Sequence, residues 1–158
     1  MRWIWIDKFV EFESGKRAVS LKNVSLAEEH LHDHFPGFPI MPECLMIEAM
    51  AQTAGILVGE KGKFAEKVIL AKIKKAKFYH YVQPGDTLLL EASIESFAPE
   101  AAGTMGKITC GEKLIAEIEL MFSHIDQNLG GKQFPKDNFV FTDTFGQLLD
   151  GIGITERN

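Results

Sequence analysis

Between Thr87 and Phe97 apolar Leu88, Leu90, Ala92 and Ile94 alternate with Thr87, Glu91, Ser93 and Glu95. Lys113–Ser123 repeats the pattern, with Leu114, Ala116, Ile118, Leu120 and Phe122 set against Ile115, Glu117, Glu119 and Met121. A period of two predicts strands of an antiparallel sheet with one face on a core. Val68–Phe78 and Thr104–Cys110 also read as strands. So do Phe9–Glu13 and Ala18–Val24, joined by a turn at Ser14-Gly15-Lys16. Turn residues at Pro84-Gly85-Asp86, Gly103 and Gly111-Glu112 separate the later strands.

The segment Glu43–Gly59, ECLMIEAMAQTAGILVG, follows another rule. Its apolar residues cover every face of a helix, Pro42 suits its start, and Gly59 can close it. A helix apolar all round is buried on all sides. One such helix against a run of antiparallel strands predicts an α+β fold. Within the apolar cylinder sit Glu48 and Gln52, four apart and so on one face. A carboxylate there is costly to desolvate unless it is paired. The plain alternatives are a Glu that reaches solvent at the helix rim or one tied up in a core hydrogen bond, and the pattern leaves these open.

At 158 residues the chain fits one ordinary domain, which we draw over residues 1–126. Residues 127–158 form a Gly- and Asn-rich tail with a weak helical stretch near Asp143–Leu149, expected to pack on a partner subunit or stay mobile. Cys44 and Cys110 make no CxxC pair, so free thiols in a reducing compartment are expected. Asp7 and Lys8 interrupt the apolar opening, and no segment reaches the roughly 20 apolar residues that span a bilayer. These features predict a cytoplasmic protein. A formal net charge of −5 argues against a general nucleic-acid binder. Yet residues 61–77 carry seven lysines against the single acid Glu66. Lys72, Lys74, Lys75 and Lys77 either guard a strand edge or dock an acidic protein.

Upstream of the helix lies HLHDHFPGFPIMP, with His30, His32 and His34. Alternating histidines on an extended strand could converge on zinc, but only the isolated His80 and His124 remain to complete a shell. Exposed loop histidines are the ordinary outcome, and no metal is expected. His34 stands apart, because Phe35-Pro36-Gly37 fixes a tight turn directly after it.

These residues resemble a known family. HFPGFPIMPECLMIEAMAQTAGIL is similar to the FabA/FabZ-type 3-hydroxyacyl-(acyl-carrier-protein) dehydratase signature H-F-P-G-x-P-[IV]-x-P-G-x-L-x-x-E/D-A-M-x-Q. His34, Phe35, Pro36, Gly37, Pro39, Pro42, Leu45, Glu48, Ala49, Met50 and Gln52 all fall in place. Phe78, Val82, Pro84, Gly85 and Asp86 resemble a second family segment, and the likeness runs over roughly residues 5–125. It implies a hotdog fold, in which an antiparallel sheet wraps one long helix and two subunits pair into a homodimer or a trimer of such dimers. It implies dehydration of a (3R)-hydroxyacyl chain on acyl carrier protein, with His34 and Glu48 as the acid–base pair from different subunits and no cofactor. The backbone N–H of residue 43 would bind the thioester carbonyl, with Phe35, Pro42 and Gln52 around the substrate.

Two positions depart from the pattern. Glu43 stands where the family has glycine, and Tyr79-His80-Tyr81 replaces a basic stretch ending in proline. Two other readings stay open. A hotdog acyl thioesterase would need a carboxylate and a water but no histidine at position 34. A non-catalytic, acyl-binding subunit is kept alive by Glu43.

Overall fold

The computed structural model describes residues 3–125, 140–141 and 143–150. Strands β1 (Lys8–Glu13) and β2 (Arg17–Asn23) lead to a one-turn helix α1 (His30–Asp33) and the long helix α2 (Glu43–Lys61). Strands β3 (Val68–Phe78), β4 (Thr87–Phe97), β5 (Ala101–Cys110) and β6 (Lys113–His124) follow, and then helix α3 (Asp143–Asp150). All strand pairs are antiparallel, in one six-stranded sheet of order β1-β2-β4-β5-β6-β3. The sheet wraps α2, which packs against β2 through β6. This is the hotdog arrangement that the resemblance implied.

The alternating strands behave as their pattern requires. Leu88, Leu90 and Ala92 of β4, and Ala116, Ile118, Leu120 and Phe122 of β6, are buried on the α2 side. Every α2 residue from Ala49 to Gly59 is buried. Where helix and sheet come closest, Gly106 of β5 leaves room for Met50. A methyl group at Gly106 would overlap the Met50 side chain. The Ser20 and Thr53 hydroxyls, both buried, share a hydrogen bond of 2.6 Å between β2 and α2, and Thr53 also donates to the Ala49 carbonyl.

Several expectations need correction. Ile115, assigned to the outer face, is 2% exposed. The register shifts between Ile108 and Thr109, whose partners are Ala116 and Leu114, so Ile115 is the extra residue of a bulge that turns inward. Gly103 is no turn. β5 begins at Ala101, the Ala98 N–H donates to the Ala101 carbonyl, and Gly103 is a strand residue because Ser96 Oγ occupies the space of its missing side chain. Gly59 does not end α2, which runs on to Lys61. The three histidines lie on or beside the short helix α1 rather than on an extended strand. In the tail, the helix predicted near Asp143–Leu149 forms as α3 and packs on β1, with Leu149 in the core. The rest of the tail lies outside the described residues apart from 140–141. Among the described residues no helix is long and apolar enough to cross a membrane.

The Gly106 contact sets a first prediction. Gly106→Ala should lower unfolding free energy by about 1–3 kcal/mol through overpacking against Met50. Urea denaturation of the variant and the parent checks this.

Candidate active site

Glu48, Ala51, Gln52, Gly55 and Ile56 recur at helical spacing and form one stripe along α2. The stripe lines a cavity of about 370 Å³, closed by Val68, Ile69 and Leu70 of β3, Phe122 of β6, Trp3, Val140 and Phe141. Glu48 is the charged residue in a lining otherwise apolar but for Gln52. Half-buried, it neither escapes to open solvent nor disappears into the core.

Gln52 sets the direction of that carboxyl. Its Oε1 accepts the Trp5 N–H at 2.8 Å, while its Nε2 donates to the Trp3 carbonyl at 2.8 Å and to Glu48 Oε1 at 2.9 Å. A backbone N–H can only donate and a carbonyl can only accept, so these two partners fix which way the amide points. Glu48 Oε1 therefore faces a donor. When the acid is protonated its proton sits on Oε2.

His34 caps the end of α1, donating its N–H to the His30 carbonyl at 3.2 Å. Its carbonyl accepts the Ile40 N–H at 2.9 Å, and its ring stacks on Phe35 with centroids 4.1 Å apart. The His34–Phe35 peptide is cis. Phe35 and Phe38 exchange backbone hydrogen bonds around Gly37, whose φ of 75° suits a residue without a side chain. The Met41 N–H donates to the Val82 carbonyl and ties the loop to the body. His34 Nδ1 lies 3.1 Å from the Ile40 carbonyl, which can only accept, so Nδ1 carries the hydrogen. In the neutral ring Nε2 is then a free base. Within one chain, His34 is not part of the Glu48 cavity lining.

The other expected site residues are dispersed. Glu43 opens α2 after Pro42, and Phe35 is exposed. Glu43 does not face the Glu48 cavity. It lines a second depression of about 520 Å³ with Phe78, Tyr79, His80, Tyr81 and Lys113. The Tyr79 hydroxyl donates to Glu117 at 2.6 Å, which raises the tyrosine pKa and lowers that of the glutamate. Lys72, Lys74, Lys75 and Lys77 are exposed on β3, a sheet edge. Their patch is less positive than the run suggested, because Lys75 and Lys77 register with Glu119 and Glu117 of β6.

Trp3, Trp5 and Phe141 escaped the sequence reading, and His30, weighed there only as a metal ligand or a loop histidine, packs on Trp5. Trp5 packs edge-on against both Trp3 and His30, with Lys22 above its ring. The only available cue was the paired tryptophans of the opening. Among the described residues no three groups of metal-ligating type come together. His32 Nε2 donates to the Leu26 carbonyl, and His30 sits against Trp5.

Fold and site together define a hotdog-fold protein that holds a carboxyl group in an apolar cavity. The FabA-like domain model matches residues 3–119. A 3-hydroxyacyl-[acyl-carrier-protein] dehydratase FabZ of Caldanaerobacter subterraneus is 43% identical over 121 residues, 76% of this chain and 86% of that protein. The protein of the same name from Hydrogenobaculum sp. is 44% identical over 121 residues, 73% of this chain and 80% of its own length. Among solved structures, the dehydratase heterocomplex ApeI:P from Xenorhabdus doucetiae aligns with a TM-score of 0.64 at 16% identity, over 77% of this chain and 82% of that one. Zebra fish thioesterase superfamily member 2 aligns with a TM-score of 0.60 at 10% identity, over 72% and 78%. Such distant likenesses speak for the fold alone. The chain belongs to the FabA/FabZ dehydratase family.

Burial lowers the His30 pKa from 6.5, with Lys22 and His34 acting in the same direction and Glu28 opposing them. The folded state therefore binds fewer protons here than the unfolded chain. This contribution to stability is complete above about pH 6.5 and is lost as pH falls through the lowered folded value. His30→Phe should flatten that acid-side decline, as read from melting temperatures between pH 7 and pH 5.

Proposed function

We propose that the protein removes water from a (3R)-hydroxyacyl thioester carried on acyl carrier protein, giving the trans-2-enoyl thioester. The observation that carries this reading is the Glu48 carboxyl, held by Gln52 in a cavity otherwise apolar and at the signature's acid position. The relatives named above, dehydratases of 3-hydroxyacyl-[acyl-carrier-protein], support the same reaction.

In this mechanism His34 Nε2 takes the proton from C2. The electrons of that C–H bond form the C2=C3 double bond as the C3–O bond breaks. Glu48 Oε2 gives its proton to the departing hydroxyl, which leaves as water. Negative charge gathers on the thioester oxygen meanwhile, and the first N–H groups of α2, that of Glu43 included, stabilise it with the helix dipole. The Glu43 side chain, turned to the second depression, does not oppose that charge. An imidazole and a carboxyl group are a suitable pair for such an elimination.

Two protomers complete the site. His34 lies outside the lining of its own chain's Glu48 cavity, so a second copy supplies it, and the reading requires a homodimer. The exposed edge strand β3, with Ile73 46% exposed, supports pairing of two sheets there. The β3 lysines offer positive charge to an acidic carrier protein.

His34→Ala and Glu48→Gln should each cut dehydration on the order of 10²–10⁴-fold, the usual reach of acid–base catalysis. Mass spectrometry of 2-enoyl product formed from a 3-hydroxyacyl carrier protein measures it, and full activity in either variant would refute the assignment. Reversing Lys72 and Lys74 to Glu should raise KM for the carrier-linked substrate, less so at high salt, while sparing a small pantetheine thioester.

A further inference from the structure

We infer that Phe141, supplied by chain beyond the region shared with the family, closes the far end of the Glu48 cavity and restricts it to short acyl chains. The inference takes the ligand's class, an acyl thioester, from the dehydratase reading. The family model ends at residue 119, yet Val140 and Phe141 line the cavity that contains the acid.

Phe141 is well seated. Its ring fills the space beside Gly59, where an added methyl group would overlap it. It meets Phe64 edge-on, with centroids 5.0 Å apart. Lys63 and Phe64 both adopt φ of 53°, unusual for residues with side chains, and the Phe64 N–H donates to the Gly59 carbonyl at 2.7 Å. The glycine, the turn and the ring thus fit one another. Helix α3 follows, anchored by the buried Leu149.

Position along α2 gives the plug its effect. Glu48 and Gly59 are eleven residues apart, about 16 Å at a rise of 1.5 Å per residue. The acid works at one end of the stripe and Phe141 stands at the other. The cavity's roughly 370 Å³ lies near the lower end of the ~300–1,000 Å³ typical of small-ligand sites.

Calorimetric titration with saturated pantetheine thioesters, from butanoyl through octanoyl and dodecanoyl to hexadecanoyl, reads this limit without needing turnover. For the full chain, affinity should rise on the order of fourfold per buried methylene for the short members and then stop rising. Phe141→Ala should move that break to longer chains, with Phe141→Leu falling between. The same shift should appear in the chain-length profile of dehydration. A break that stays in place in the folded Phe141→Leu variant, which keeps an apolar side chain over Gly59, overturns the inference. A break that moves in binding while no variant or parent turns over substrate would instead sink the dehydratase reading and leave the plug standing.

Discussion

A helix with apolar side chains on every face cannot be left half covered. Burial of α2 governs the rest of this molecule, because each Leu- or Ile-sized side chain left in water would cost about 1.5–3 kcal/mol. A flat sheet covers only one side of a helix, so the sheet curls, and six strands bring β2 through β6 into contact with α2. The glycines at the closest approaches follow from this. Gly106 admits Met50, and Gly55 packs on the Phe122 ring with no side chain between. The Glu48 cavity lies where α2 meets strands β3 and β6.

Two polar side chains, Gln52 and His34, are held by partners already arranged. Gln52 uses its carbonyl oxygen once and its amide nitrogen twice, joining the Trp3–Trp5 segment to Glu48. His34 binds its own loop through Nδ1 and keeps Nε2 free. In both cases a backbone group decides which atom of the side chain is left for chemistry. A functional group held this way loses little on binding a ligand, since its orientation is settled beforehand.

Sequence made the architecture legible wherever the signal was local. Period-two alternation gave the bounds of β4 and, to within one residue, those of β6, and the apolar run gave α2 to within two residues. The signature singled out His34 and Glu48. What stayed hidden depends on pairing between distant segments. The bulge that buries Ile115 arises from register with Thr109 and Ile108, and no pattern within Lys113–Ser123 encodes it. The lysine run of β3 read as one positive patch because its acidic neighbours, Glu117 and Glu119, lie some forty residues further on. Gly59 looked like a helix stop because the ring it accommodates belongs to the tail.

The hydrogen bond between Ser20 and Thr53 acquires meaning from the greasiness of the helix around it. A cylinder apolar on all sides has little hydrophobic preference for its azimuth. Turning it by one residue, about 100°, would exchange one set of oily side chains for another. Such a turn would also carry Glu48 away from its cavity and into the sheet. The two buried hydroxyls act as a key against this, since any other rotation strands the Ser20 hydroxyl, at roughly 1–3 kcal/mol, and leaves Thr53 only its bond to the Ala49 carbonyl. A pair of small alcohols on the sheet side thus fixes which face of α2 turns Glu48 to its cavity.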